Sequence, residues 1–133
     1  MTPYVLTVTG HLVAMVAWVG TMVAVPAILA RGPASPELAE RLRGAFRVLA
    51  TPGLVLTWAL GIANAVQADA FDDTWLQVKL VFVLALSAVH GVMAGGLRRA
   101  SATGEAPGLL RSLHWVVLAL LLGAVLMAVW QPA

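Results

Sequence analysis

The chain contains no cysteine. That excludes disulfides, thiolate metal sites and CxxC redox pairs, so any redox chemistry has to be carried by a cofactor. Charge is nearly as scarce. Only 11% of the 133 residues are charged, against about 25% in a soluble domain. The carboxylates (Glu37, Glu40, Asp69, Asp72, Asp73 and Glu105) all fall between apolar runs, which argues against a carboxylate proton relay through a bilayer. Motifs for nucleotide or phosphate binding are missing, as are HExxH, paired carboxylates and the ingredients of a Ser-His-Asp triad.

What the chain does have is apolar surface. Hydrophobic residues make up 61% of it and the mean hydropathy is +0.92, where soluble domains hold roughly 45–50% apolar residues. The simplest solvent for such a chain is a lipid bilayer, and the length suits one domain over 1–133. The net charge of +2 is basic, but the bases lie in two short segments instead of one patch. This distribution points to membrane topology, not to a nucleic-acid partner.

A span requires about 20 apolar residues. Four stretches meet this: Tyr4 to Ala30, Val48 to Ala68, Trp75 to Leu97 and Leu113 to Trp130. Pro52 is tolerable in the opening turn of the second, and Gln131-Pro132 ends the fourth. The first stretch lacks a positive n-region and is too long for an h-region, so it reads as a retained helix and not a cleaved signal peptide. Arg31, Arg41, Arg43 and Arg47 separate the first two spans, and Arg98, Arg99 and Arg111 the last two. The middle loop holds Asp69, Asp72 and Asp73 and no base. The positive-inside rule then puts both arginine segments in the cytoplasm and both termini outside, with Trp75 and Trp130 at the outer boundary. The expected fold is an all-α, four-helix membrane bundle in a bacterial inner membrane. Ser35 as N-cap, with Pro36 and Glu37 in the first turn, predicts a short cytoplasmic helix running to about Arg47. Ala100 to Pro107 reads as a flexible loop.

Four ionisable side chains interrupt the apolar runs or flank them: His11, Lys79, His90 and His114. Such groups normally face the bundle interior and have a partner. At 1.5 Å per residue, His11 is about 10 Å and Lys79 about 6 Å below the outer ends of their helices, so the two can meet in the outer leaflet. His90 is about 10 Å above the opposite end of its helix and differs in height from His11 by a similar amount, which disfavours a bis-His pair. His114 lies at the cytoplasmic start of the fourth span. Each has an ordinary reading too. Lys79 can snorkel, His11 and His90 can bond to a neighbouring helix, and a juxtamembrane His114 needs no special reason. Ser87, Gly91 and Gly95 form a small-residue ridge, and Gly10, Ala14 and Ala17 another, suited to helix packing or to close approach of a flat cofactor. Thr57, Trp58 and Asn64 offer polar contacts from the second span.

Three stretches together resemble the HemJ family, membrane-embedded protoporphyrinogen IX oxidases, and its CopD-like relatives. They are His11 through Trp18 to Pro26; Pro52 through Leu56-Thr57-Trp58 to Gly61; and Trp75-Leu76-Gln77-Val78-Lys79-Leu80, with His90-Gly91 following. The four-span layout also looks like that family. The resemblance implies a haem b protein that oxidises protoporphyrinogen IX and passes electrons to a membrane acceptor. His11 and Lys79 match the family's axial ligands, with Trp58 a cofactor contact. On this reading His90 handles protons or touches substrate, and Arg43 and Arg47 hold porphyrin carboxylates. Two positions depart from the family pattern. Ala27, not Arg, follows Pro26, and Leu113-His114-Trp115-Val116 replaces an Asn-Glu pair. Arg is the bidentate binder of a propionate and Glu a proton acceptor. The departures therefore leave open a non-catalytic haem-binding or structural subunit of a larger membrane complex, and the small-residue ridges permit a homo-oligomer. A third reading is copper handling, because His11, Met15 and Met22 share a helical face and suit Cu(I).

Overall fold

The computed structural model describes residues 2–33 and 35–132. Every element among them is helical. α1 (Pro3–Leu29) starts where the Thr2 hydroxyl accepts from the Val5 amide at 3.2 Å, with Pro3 in the first turn. Both features suit an N-terminus, whose first amides have no helical partner. α2 (Pro36–Ala45) begins the same way, with Ser35 Oγ accepting from the Leu38 amide at 3.1 Å.

α2 is not a separate helix, however. A five-residue π-turn, Phe46–Ala50, joins it to α3 (Thr51–Ala68), so that Pro36–Ala68 is one rod of 33 residues. Pro52 accounts for the turn. Within a helix its ring presses on the carbonyl four residues back and donates no amide. Widening the preceding turn, so that Thr51 N–H reaches the Phe46 carbonyl, absorbs that defect without breaking the helix.

α4 (Thr74–Thr103) also outruns its expected length. No breaker occurs until Gly104, whose φ of 79° ends the helix by the left-handed C-cap that glycine adopts at least cost. The expected flexible segment therefore starts later than Ala100. α5 spans Leu113–Trp130, the bounds read from sequence, and a short 3-10 turn, Leu110–Ser112, precedes it.

Four helices, Pro3–Leu29, Pro36–Ala68, Thr74–Thr103 and Leu110–Trp130, are long and apolar enough to cross a membrane. By length and composition this is a multi-pass membrane protein. The buried core is aliphatic and aromatic: Trp18, Met22, Val25 and Leu29 from α1 meet Phe46, Met93, Leu97 and Val117. The outside is apolar as well, with Val13, Val16, Val55, Val81, Leu122 and Val129 all exposed. Lipid accepts such a surface, so hydrophobicity alone does not distinguish the inner faces of these helices from the outer ones.

Two contacts set the spacing of the helices. α1 crosses α3 at Gly53, where an added Cβ would be 2.8 Å from the Trp18 amide nitrogen. At the arginine-rich end, Arg111 donates to the carbonyls of Leu29 and Gly32. It thereby satisfies the end of α1 and ties it to the start of α5. One of the arginines read as a topology signal is thus also a helix cap.

Gly53→Ala is expected to cost about 1–3 kcal/mol, the usual penalty for overpacking against a backbone that cannot give way. Gly20→Ala, whose Cβ would meet nothing, is expected to be neutral or mildly stabilising. Thermal unfolding followed by circular dichroism in detergent distinguishes them. By the same measurement, Arg111→Ala is expected to lose about 1.5–3 kcal/mol, the range for a hydrogen bond from a charged donor.

Candidate cofactor cavity

A cavity of about 270 Å³ opens between α1, α3, α4 and α5. Its polar lining is brief: His11, Thr57, Trp58 and Lys79 among aliphatic side chains. Helical spacing brings them there. His11, Met15 and Trp18 lie at i, i+4 and i+7 on α1, and Leu76, Lys79, Leu80 and Val83 at i, i+3, i+4 and i+7 on α4, so each set shares a face.

His11 is held in one orientation. Its Nδ1 is 3.0 Å from the Thr57 carbonyl oxygen across the α1–α3 interface. A carbonyl only accepts, so Nδ1 carries the hydrogen. In the neutral ring this leaves Nε2 with a free lone pair. The same arrangement orients metal-binding histidines generally, where the distal ring nitrogen donates to a carbonyl or carboxylate. Gly61 makes room for it, since a Cβ there would be 3.0 Å from His11 Cε1 and 3.3 Å from Nδ1.

Lys79 lines the same cavity, half-buried. It makes neither an ion pair nor a hydrogen bond among the described residues, where the sole ion pair is Arg43–Glu40 at 3.7 Å. The Thr57 hydroxyl, on a residue only 4% exposed, also has no partner. A buried hydroxyl without a hydrogen bond costs about 1–3 kcal/mol, so Thr57 is a local cost within the α1–α3 interface. Trp58 offers its ring rather than its N–H. Its Nε1 donates to Ser87 Oγ at 3.0 Å, and that hydroxyl donates in turn to the Val83 carbonyl at 2.8 Å.

The remaining expected site residues lie elsewhere. His90 is buried behind Trp18, which lines the cavity and donates through Nε1 to His90 Nδ1 at 3.1 Å. The His90 ring lies against Phe46, with centroids 4.6 Å apart. His11 and His90 therefore do not meet. They are separated along α1 by the seven residues from His11 to Trp18, about 10 Å of helix. Arg43 and Arg47 line a second cleft that shares no residue with the cavity. His114 stacks on Trp115 at 4.9 Å, outside the cavity. Of the methionines considered for copper, Met15 reaches the cavity, whereas Met22 is fully buried in the core.

Sequence reading missed the Trp18–His90 and Trp58–Ser87 bonds and the role of Gly61. Only the last left a signal: Gly61 follows Thr57 by four residues, hence sits beside the carbonyl that holds His11.

Gly61→Val is expected to turn the His11 ring away from the Thr57 carbonyl. NMR of ¹⁵N-histidine-labelled protein should show the Nδ1-protonated tautomer in the parent and its loss in the variant. Thr57→Val keeps the carbonyl and removes the orphan hydroxyl. It is expected to raise the stability of the ligand-free protein by about 1 kcal/mol or more in thermal unfolding. Comparison with known protein families, curated proteins and solved structures finds no match for this chain.

Proposed function

We propose that this chain is a haem b-binding redox protein of a bacterial inner membrane, with its arginine-rich end in the cytoplasm. In this reading it acts as the HemJ family does, oxidising protoporphyrinogen IX to protoporphyrin IX and passing electrons to a membrane acceptor. One observation carries the proposal: the His11 ring, bonded through Nδ1 to Thr57 so that Nε2 stays free, lines a cavity it shares with the unpaired Lys79. An imidazole and a lysine amine lining one mostly apolar cavity would be the two nitrogen donors available to hold a haem iron there.

The fit of the residues supports the same reading. The Trp58 ring is a flat apolar wall, and the rest of the lining is mostly aliphatic. At about 270 Å³ the cavity lies just below the size of ligand pockets, which run from about 300 to 1,000 Å³. Its lining includes the exposed Leu12, Ile62, Val125 and Val129, so it is open toward the membrane. Haem bound there would supply single-electron redox chemistry. His11 and Lys79 would hold the iron, while the Thr57 carbonyl fixes the imidazole tautomer, Gly61 gives the ring room and the apolar walls exclude water. His90 acts through Trp18 in this scheme, as a positioning residue.

A second reading, a non-catalytic haem subunit, has an observation of its own. The cavity lining holds no carboxylate and no arginine. The groups that would accept substrate protons or grip a propionate are thus missing from the site, in keeping with Ala27 and the Leu113–Val116 segment.

Protein purified from its membrane is expected to show a Soret band with about one haem per chain. His11→Ala should lower haem occupancy by about 10–100-fold or more, since loss of mere outer-shell partners already costs that much. His90→Phe should retain haem. A purified wild-type protein without a Soret band overturns the proposal. Rescue of a strain lacking its own protoporphyrinogen oxidase separates the enzyme from the non-catalytic subunit.

A further inference from the structure

The second cleft, about 320 Å³, lies at the arginine-rich end between the α2–α3 rod and α4. Arg43, Arg47 and Thr51 line one wall. They are spaced by four, which overshoots a turn of 3.6 residues, but the wider π-turn over Phe46–Ala50 keeps them on one side. Gly91, Ala94, Gly95 and Arg98 line the other, at i, i+3, i+4 and i+7 of α4.

A small-residue ridge ordinarily lets a neighbouring helix approach. Here a Cβ on Gly91 or Gly95 would meet nothing within 4 Å. Among the described residues no helix fills the groove, which leaves it open to a molecule from outside the chain. The groove's shape and charge describe that molecule. From Arg98 the floor descends seven residues to Gly91, about 10 Å along the helix, well into hydrocarbon depth. The mouth carries three guanidinium groups. Arg43 has Glu40 at 3.7 Å, and Arg47 and Arg98 are exposed with no carboxylate partner among the described residues. The occupant is therefore anionic at the headgroup level and apolar below it.

A second copy of this chain fits poorly. Symmetric pairing about an axis normal to the membrane would set the two arginine clusters side by side in one leaflet, where like charges repel. We infer that the Arg43–Arg47–Arg98 cleft is a binding site for an anionic diacyl phospholipid, with its phosphate on the guanidinium groups and an acyl chain over Gly91 and Gly95. Arginine suits a phosphate through its forked donors, and basic pockets between membrane helices take such headgroups.

The test uses full-length protein in nanodiscs and native mass spectrometry. Wild-type protein released from equimolar phosphatidylglycerol–phosphatidylcholine discs is expected to retain the two lipids in a ratio at least about tenfold in favour of phosphatidylglycerol. Arg98→Gln, which removes charge, and Gly95→Leu, which fills the groove and keeps the charge, should each cut that enrichment severalfold. Unfolding temperatures matching wild type in pure phosphatidylcholine show that both variants fold. Should either unfold early there, Gly91→Leu replaces it. Equal retention of the two lipids, unchanged enrichment in the folded variants, a dimer in place of bound lipid, or displacement of the lipid by protoporphyrin carboxylates would each overturn the inference. Haem absorbance, read on the same samples, reports separately on the other cavity.

Discussion

The site depends on one hydrogen bond, from His11 Nδ1 to the Thr57 carbonyl. A carbonyl inside a helix already accepts from the amide four residues on, here that of Gly61, but its oxygen has a second lone pair. Side chains usually screen that lone pair. Glycine at the i+4 position leaves it reachable, and the same missing Cβ gives the imidazole its berth. A single glycine thus exposes the acceptor and admits the donor. The outcome is a ring whose tautomer is settled by the fold, on the wall of a largely apolar cavity that Lys79 also lines.

The other polar groups between the helices follow the rule a bilayer imposes, that they find partners within the protein. Trp58 reaches Ser87 and Trp18 reaches His90, each bond joining α4 to a different helix. In membrane proteins such bonds average only about 0.6 kcal/mol, so their value here lies in orientation. They fix two indole rings as walls of the cavity. Among the described residues, the half-buried Lys79 amine and the buried atoms Thr57 Oγ1, Asn64 Oδ1 and His114 Nδ1 are exceptions to the rule. Of these residues, Lys79 and Thr57 line the cavity.

Much of the fold could be read from the chain, because the bilayer demands long charge-free runs and loops break them. α5 matched to the residue, and Ser35 was identifiable as a cap from its type and its neighbours. The bounds of α2–α3 and α4 were harder to read. Pro52 reads as a place where a helix starts, and the structure instead absorbs it in a π-turn. The charged Arg98-Arg99 reads as the end of a span, although nothing there stops a helix. The site was half legible. Rise per residue puts His11 and Lys79 at similar depth, but rotation about each helix axis decides what faces what. With lipid outside and a core within, these helices show no polar stripe to reveal that rotation. The links of Trp18 to His90 and of Trp58 to Ser87, and the separation of Arg43 and Arg47 from the cavity, therefore came only from coordinates.

The central claim, one imidazole and one amine around a single iron, is open to direct measurement. Electron–nuclear double resonance on the ferric protein, grown with ¹⁵N confined to histidine side chains, counts the imidazoles on the metal. The account predicts ¹⁵N coupling from one imidazole opposite a ¹⁴N amine. Couplings from two imidazoles, or from none, would contradict it.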